Sequence, residues 1–197
     1  NSGGLAQGCV VSNNYAGNGK GVLLSYGGTL LDSIVEYNVG GYSTGSGGGI
    51  YIDRAGGYVD RCIVRYNAAG NAAGISHDRV TVRNTLVYGN QASGNGGGIV
   101  SSYFANTILE NVTIVRNKAA TAGGLHIQTD SAVPYGGPMR NVICVLNEAP
   151  LTNNVALTPF AGYDLTNNNA FVYSCAQPAI PGPGNIGDNP NFYDPGI

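Results

Sequence analysis

Residues 61–67 read RCIVRYN, and five other segments of the chain repeat this pattern and end at an asparagine. The six copies are GCVVSNN (8–14), DSIVEYN (32–38), RCIVRYN (61–67), NTLVYGN (84–90), NVTIVRN (111–117) and NVICVLN (141–147). Their final asparagines are 24, 29, 23, 27 and 30 residues apart. A strand-length run that returns at this period predicts one coil of a solenoid per repeat.

Two positions within each run predict the interior of the stack. Alternate residues of a strand point to the same side, so the third and fifth residues before the asparagine share a side. The nearer column contains Val11, Val35, Val64, Val87, Ile114 and Cys144, and the farther column contains Cys9, Ser33, Cys62, Thr85, Val112 and Val142. Both columns are small, aliphatic or β-branched, and we expect both to face inward.

The asparagines themselves have a structural explanation. Asparagine tolerates a left-handed backbone at a bend, and its amide can hydrogen-bond to the asparagine one coil away. We therefore predict a structural ladder rather than a catalytic group at Asn14, Asn38, Asn67, Asn90, Asn117 and Asn147.

A second strand follows each asparagine, preceded by glycine or alanine where the chain must turn against the coil below. These segments are KGVLLSY, GGGIYID, AAGISHD, GGGIVSS and AGGLHIQ. No long window has helical periodicity. The sequence predicts an all-β fold, a single right-handed parallel β-helix of about six to seven coils with an irregular C-terminal tail. The helix covers residues 1–177, and residues 178–197 form a tail that packs on or caps it.

Composition limits the partners. The net charge is −2 and the nine Lys and Arg residues are scattered, so we expect no nucleic-acid partner. No apolar run approaches the roughly 20 residues of a membrane-spanning helix. The chain does not begin with Met, and we expect a processed product or a fragment of a longer protein.

The four cysteines lack the spacing of a metal site, so we expect no bound metal and no cofactor. Cys9 and Cys62 are expected to be buried free thiols. For Cys144 and Cys175 the sequence leaves both the free thiol and the disulfide open.

The GG(G/A)I strands, together with strands ending T-I-V-x-N, resemble the repeats of bacterial right-handed β-helix surface proteins. These include the polymorphic outer-membrane protein type and relatives of the pectate-lyase-like superfamily. The C-terminal part resembles a closing element of such proteins through Tyr173, Ser174, Gly182, Gly184, Asn185, Ile186, Pro190 and Phe192, with Asn189 in place of the usual Asp. The resemblance implies the fold and an extracellular or cell-surface location. It does not choose among adhesins, surface proteins and polysaccharide-degrading enzymes.

One column lies between the two inward columns and should face outward. It is an aliphatic stripe formed by Val10, Ile34, Ile63, Leu86 and Ile143, with Thr113 as its polar member. An outward apolar stripe usually marks a covered surface. The cover is the long loop after Asn147, the C-terminal tail after Pro178 or another protein chain, or there is none if the residues only reflect strand propensity.

A second candidate surface follows the glycine corners. The segments YIDR and SHDR stack Tyr51 over Ser76, Asp53 over Asp78 and Arg54 over Arg79, and they place His126 two coils beyond Ser76. Such a polar cluster supports lyase or glycosidase chemistry. The same residues also form an ordinary ion-pair ladder, which we favour.

Two functions remain. The first is a non-catalytic extracellular or cell-surface scaffold that is adhesive or self-associating, with a protein partner bound through the stripe or the open solenoid end. The second is a carbohydrate-binding or polysaccharide-degrading module, for which the tyrosine column that includes Tyr37 and Tyr66 would hold sugar rings. No catalytic residue is assigned.

Overall fold

A computed structural model describes residues 3–16, 21–41, 47–53, 56–77, 80–101, 107–128, 138–158, 171–188 and 190. Every regular element in these ranges is a β-strand of two to four residues. All strand pairs among the described residues are parallel, and each strand pairs with its equivalents one repeat before and after. The expected right-handed parallel β-helix is confirmed.

Four sheets, here named A to D in the order that the chain meets them, form the walls of the rod. Sheet A contains β1 (Leu5–Gln7), β5 (Gly28–Leu31), β9 (Gly57–Asp60), β13 (Val80–Arg83), β17 (Ile108–Glu110), β20 (Met139–Arg140) and β23 (Phe171–Val172). Sheet B contains β2 (Val10–Ser12), β6 (Ile34–Glu36), β10 (Ile63–Arg65), β14 (Leu86–Tyr88), β18 (Thr113–Val115), β21 (Ile143–Val145) and β24 (Cys175–Ala176).

Sheets C and D complete each coil. Sheet C contains β3 (Tyr15–Ala16), β7 (Val39–Gly40), β11 (Ala68–Ala69) and β15 (Gln91–Ala92), and single bridges continue it from Gln91 to Lys118 and Glu148. Sheet D contains β4 (Val22–Leu24), β8 (Ile50–Ile52), β12 (Ile75–His77), β16 (Ile99–Ser101), β19 (Leu125–Gln128) and β22 (Val155–Thr158). Coils 1 to 6 pass through all four walls, and β23 and β24 begin coil 7.

Two sharp corners shape every coil, and each begins with a left-handed residue. The corner between sheets A and B begins at Gly8, Asp32, Arg61, Asn84, Asn111, Asn141 and Tyr173. The corner between sheets B and C, here called the second corner, begins at Asn13, Tyr37, Tyr66, Gly89, Arg116 and Leu146. The left-handed residue therefore precedes the ladder asparagine, and the expectation that the asparagine itself takes this conformation is wrong.

The predicted inward columns form the core. Val64 lies in register with Val35 on one side and Val87 on the other, and all three are fully buried. Sheet D contributes Ile50, Ile75, Ile99 and Leu125, and sheet A contributes Leu30, Val59, Val82, Leu109 and Met139. Burying each such side chain contributes about 1.5–3 kcal/mol, so the stacked aliphatic columns are the main source of stability.

The asparagine ladder is confirmed. The Oδ1 atom of Asn90 accepts hydrogen bonds from the backbone N–H and the Nδ2 atom of Asn67, both at 3.0 Å. Its Nδ2 atom donates to Oδ1 of Asn117 at 2.9 Å and to the backbone oxygen of Val64 at 3.0 Å. The same contacts recur along the ladder, so each interior amide is satisfied by the coils above and below it.

The ladder ends through Asn154, which was not predicted as a member. Asn154 takes the position that Gly124 holds one coil earlier. Its Oδ1 atom accepts from the backbone N–H of Asn147 at 3.0 Å and from its Nδ2 atom at 3.1 Å. A side chain outside the repeat pattern thus replaces the next ladder asparagine.

The glycines before sheet D are explained by close contact between coils rather than by unusual backbone angles. A Cβ atom on Gly74 would lie 2.3 Å from the backbone oxygen of Gly98, and one on Gly98 would lie 2.6 Å from that of Gly124. Only glycine allows the backbones to approach so closely.

The described part of the tail lies on the last coil. Ile186 pairs with Cys175, and Ile180 packs against the core. Its contacts with the rod are at the end of sheets A and B rather than along the aliphatic stripe. All four cysteines are free thiols, as expected for Cys9 and Cys62; Cys9 is half-buried and the other three are buried.

Candidate functional site

Five side chains form a compact cluster where sheet B meets the second corner on coils 2 to 4. They are Glu36, Tyr37, Arg65, Tyr66 and Tyr88, here called the Tyr–Arg cluster. Arg65 lies in register with Glu36 on one side and Tyr88 on the other, because all three occupy the last outward position of their strands. Tyr37 and Tyr66 follow as the left-handed residues of the corner.

Arg65 is held from both sides. Its Nε atom donates to Oε2 of Glu36 at 2.6 Å, and its Nη1 atom donates to the phenol oxygen of Tyr88 at 2.8 Å. The guanidinium carbon lies 5.9 Å from the ring centroids of both Tyr66 and Tyr88. The hydrogen bonds with Tyr88 and Glu36 raise the pKa of Arg65. The same two hydrogen bonds, on opposite sides of the guanidinium group, hold its rotamer.

The tyrosine rings pack on one another. Tyr37 and Tyr66 are stacked, with centroids 5.2 Å apart and planes 21° apart, and Tyr88 meets Tyr66 edge-on at 5.2 Å and 75°. Gly89 makes room for this arrangement, because a Cβ atom there would lie 2.7 Å from Cδ1 and Cε1 of Tyr66. Desolvation, followed by the neighbouring Tyr88, raises the pKa of the Tyr66 phenol.

The cluster is nonetheless accessible. Tyr37 is 49% exposed and Tyr66 is 44% exposed, and Val39 beside them on sheet C is 38% exposed. A sugar ring stacks on an open aromatic face, whereas Tyr66 is enclosed between Tyr37 and the backbone of Gly89. The stack therefore covers one face of each of these two rings. Exposed tyrosines around a fixed arginine are typical of protein-binding surfaces.

The aliphatic stripe occupies one column of sheet B, as its spacing predicted. Val10, Ile34, Ile63, Leu86, Thr113 and Ile143 are in register on consecutive coils. Val10 is 65% exposed, and the others are half-buried within the described structure. The stripe therefore borders the Tyr–Arg cluster and extends its apolar area.

The second predicted surface is only partly a surface. Tyr51 stacks over Ser76, and His126 follows two coils beyond Ser76, as the spacing predicted. Tyr51 and Asp53 are half-buried. Arg54, Asp78 and Arg79 lie outside the described residues.

His126 is 3% exposed, so its assignment to the surface is wrong. It lies on the outer column of sheet D, beside Val100, which is also buried. One coil earlier, Gly96 packs on this column, because a Cβ atom there would overlap Cγ2 of Val100. Desolvation lowers the pKa of His126.

Sequence reasoning missed two surface ladders. On sheet A, opposite charges alternate through Asp60, Arg83, Glu110 and Arg140, with ion pairs from Glu110 to Arg83 at 2.6 Å and to Arg140 at 3.5 Å. At the corner between sheets A and B, Asn84, Asn111 and Asn141 form a second, outer amide ladder. The sequence contains a signal for this outer ladder, because each of its asparagines stands six residues before an asparagine of the inner ladder.

Among the described residues, no three or more His, Cys, Asp or Glu side chains are grouped as metal ligands. None of these residues belongs to a helix that could cross a membrane.

No protein family model, no curated protein and no solved structure matches the chain. The site is therefore interpreted from its own geometry.

Proposed function

We propose that this chain is a rigid, non-catalytic scaffold, extracellular or at the cell surface, whose Tyr–Arg cluster binds another protein chain. The observation that carries the proposal is that the exposed Tyr37 and Tyr66 surround a half-buried Arg65, which Glu36 and Tyr88 hold in place. An adhesive or self-associating role needs such a surface on a support that does not deform.

The energetics favour this use of the cluster. Immobilising a long side chain on binding costs about 0.5–1.5 kcal/mol, and Arg65 is already ordered in the unbound chain. Tyrosine and arginine are also the residue types on which binding energy most often concentrates. The stripe residues Ile34, Ile63 and Leu86 add adjacent apolar surface.

The pairing of five of the described carboxylates with cationic side chains also supports a scaffold over a glycosidase. Glycosidases need two carboxyl groups that face each other across the scissile bond. In this chain Asp32 and Asp60 contact Arg61, Glu36 contacts Arg65, Glu110 contacts Arg83, and Glu148 contacts Lys118. These contacts run along the outside of the rod as ion-pair ladders. The extracellular location follows from the resemblance to bacterial β-helix surface proteins and is part of the proposal.

The test is photo-crosslinking in the cells that produce the protein. A photoreactive phenylalanine analogue replaces Val39, which borders the Tyr–Arg cluster, or Leu23, which is 55% exposed on sheet D. We expect Val39 to give a defined protein adduct, identified by mass spectrometry, that disappears when Tyr66 is changed to Ala. Leu23 should give none. Equal labelling from both positions, or none from Val39, would contradict the proposal.

The carbohydrate alternative has its own readout. We expect the purified chain to migrate equally in gels with and without polygalacturonate. Retardation that is lost in Tyr37→Ala would support the alternative instead.

A further inference from the structure

We propose that the first coil of the rod is a docking site for an extended strand of a partner protein, which runs parallel to β2 and supplies the next asparagine of the ladder. This surface is separate from the Tyr–Arg cluster, so the inference goes beyond the proposed function. It consists of the outer edges of β1, β2, β3 and β4, here called the coil 1 edge. Within the described structure each of these strands is the last of its sheet and pairs only with coil 2.

The apolar core reaches solvent at the coil 1 edge. Ala6 and Val11 occupy inward columns, yet both are only partly buried. Their equivalents on coil 2, Leu30 and Val35, are at most 1% exposed. A strand added to this edge would therefore cover apolar side chains as well as pair its backbone.

The sequence does not protect this edge in the usual way. Natural proteins shield unpaired strand edges with charged side chains and proline. Residues 1–19 contain no Asp, Glu, Lys, Arg or Pro. The first corner of coil 1 begins at Gly8, whereas that of coil 2 begins at Asp32. An edge without charge or proline is suited to accept another strand.

The ladder specifies which residue the added strand must carry. The backbone N–H and the Nδ2 atom of Asn38 both donate to Oδ1 of Asn67 at 3.0 Å, and Nδ2 also donates to the backbone oxygen of Val11 at 3.0 Å. One coil earlier, Oδ1 of Asn14 accepts from no described residue. An asparagine on the added strand would donate to it in the same way, and Nδ2 of Asn14 would donate to the backbone oxygen three residues before that asparagine.

The backbone fixes the direction of the added strand. The N–H groups of Ile34 and Val39 donate to backbone oxygens of coil 1 at 2.9 Å in the parallel pairing. Val10 and Tyr15 are their equivalents on coil 1, and their N–H groups would donate to the added strand. The site therefore fits a parallel strand with an aliphatic residue three positions before an asparagine, which is the pattern of the repeats.

The far end of the rod argues against a second copy as the occupant. Asn154 ends the ladder there, and the tail pairs with the last coil through Ile186 and Cys175. A second copy cannot continue the rod from that end while its tail is in place. Two coil 1 edges placed face to face with a shared core would pair β2 with itself in the antiparallel direction, which does not reproduce the ladder bonds.

Amide NMR spectra of the purified chain test the site with two blocked peptides. The probe is NTLVYGN, the sequence of residues 84–90, and the control NTLVYGA lacks only the final asparagine. We expect the probe, at millimolar concentration, to shift the backbone amides of Val10 and Tyr15 and the side-chain amide of Asn14. The amide of Ile63, which holds the position of Val10 on coil 3 and is already hydrogen-bonded, should not shift. Absence of shifts at the coil 1 edge overturns the site.

The two peptides separate recognition by the ladder from unspecific strand pairing. The control should bind roughly two- to tenfold more weakly than the probe, because it loses the side-chain bond to Oδ1 of Asn14. In Asn14→Ala the two peptides should bind alike. Equal affinity of the two peptides for the unmodified chain, or a difference that persists in Asn14→Ala, overturns the ladder as the recognition element.

Crosslinking in the cells that produce the protein identifies the natural occupant. A photoreactive phenylalanine analogue replaces Val10, which is 65% exposed on the outward column of β2. We expect an adduct on another protein, within a segment that has an aliphatic residue three positions before an asparagine. An adduct on the same polypeptide, whether a second copy or another segment of it, overturns the partner protein as the source, as does the absence of any adduct. The Val39 crosslink tests the proposed function independently of this result.

Discussion

Replacing Asn90 with Ala should be among the most damaging single changes to the rod. Asn90 is fully buried, and its Oδ1 atom accepts from two donors of Asn67. Alanine leaves both donors without their acceptor in a site that water does not reach. Each buried unsatisfied group costs about 1–3 kcal/mol, so the expected loss is about 2–6 kcal/mol.

The matched control is Asn14→Ala in the same column. Asn14 is exposed, and its side chain makes a single ladder bond, to Oδ1 of Asn38 at 2.8 Å. Water can replace that bond, so the expected loss is at most about 1 kcal/mol.

Urea unfolding followed by tyrosine fluorescence measures both variants, since the chain has no Trp. With a slope of about 2–3 kcal/mol/M, the midpoint of Asn90→Ala should fall by about 1–2 M and that of Asn14→Ala by a few tenths. Equal shifts in the two variants would refute the explanation of the ladder as a buried, mutually satisfied network.

Three further predictions concern packing, pH and thiol access. Gly98→Ala should lower stability by about 1–3 kcal/mol in thermal unfolding, because the new Cβ would lie 2.6 Å from the backbone oxygen of Gly124. Gly4→Ala is the control, because open space surrounds Gly4, and it should leave stability unchanged. Similar losses in the two variants would contradict the close-contact explanation. Because burial lowers the pKa of His126, the unfolded chain binds more protons there than the folded chain. The folded state is therefore most stable above the unfolded pKa of about 6.5, and the free energy of unfolding falls as the pH drops below that value. In His126→Gln, the part of this fall in the thermal midpoint that His126 causes should disappear. A pH profile unchanged by the substitution would argue against a buried neutral imidazole. Aromatic disulfide reagents should label the half-buried Cys9 quickly in the native chain. They should label Cys144 only after unfolding, because this thiol is buried and burial raises its pKa. Rapid labelling of all four thiols in the native chain would show that reagents reach the core.

The repeat pattern was sufficient to predict the stack because its signals are local and repeated. The ladder asparagine and the inward column, which has five aliphatic residues and Cys144, each recur once per coil, so an error at one coil would be corrected at the others. On coil 1, register with Ile50 places Val22 rather than Leu23 against the core.

The burial of His126 and the role of Asn154 could not be predicted from the sequence, because both depend on contacts that the repeat pattern does not encode. His126 follows the same alternation as Leu23, yet His126 is 3% exposed and Leu23 is 55% exposed. Asn154 ends the ladder from a position where every earlier coil carries glycine.

The Tyr–Arg cluster was visible only in part. The tyrosine column suggested sugar stacking, because spacing shows that Tyr37 and Tyr66 are neighbours but not which way their rings face. Arg65 and Glu36 belong to an outward column for which the repeat pattern predicts no function. Their contact depends on the register between coils, which brings the two side chains together.

The most direct test of the stacked coils is a methyl NOESY spectrum of the folded chain with labelled valines. Strands on adjacent coils lie about 4.8 Å apart, so Val64 should give strong cross-peaks to both Val35 and Val87, which are its partners in register. The cross-peak between Val35 and Val87, which are two coils apart, should be much weaker. Absence of both Val64 cross-peaks in a folded sample would contradict the in-register stack on which the ladder and the Tyr–Arg cluster both depend.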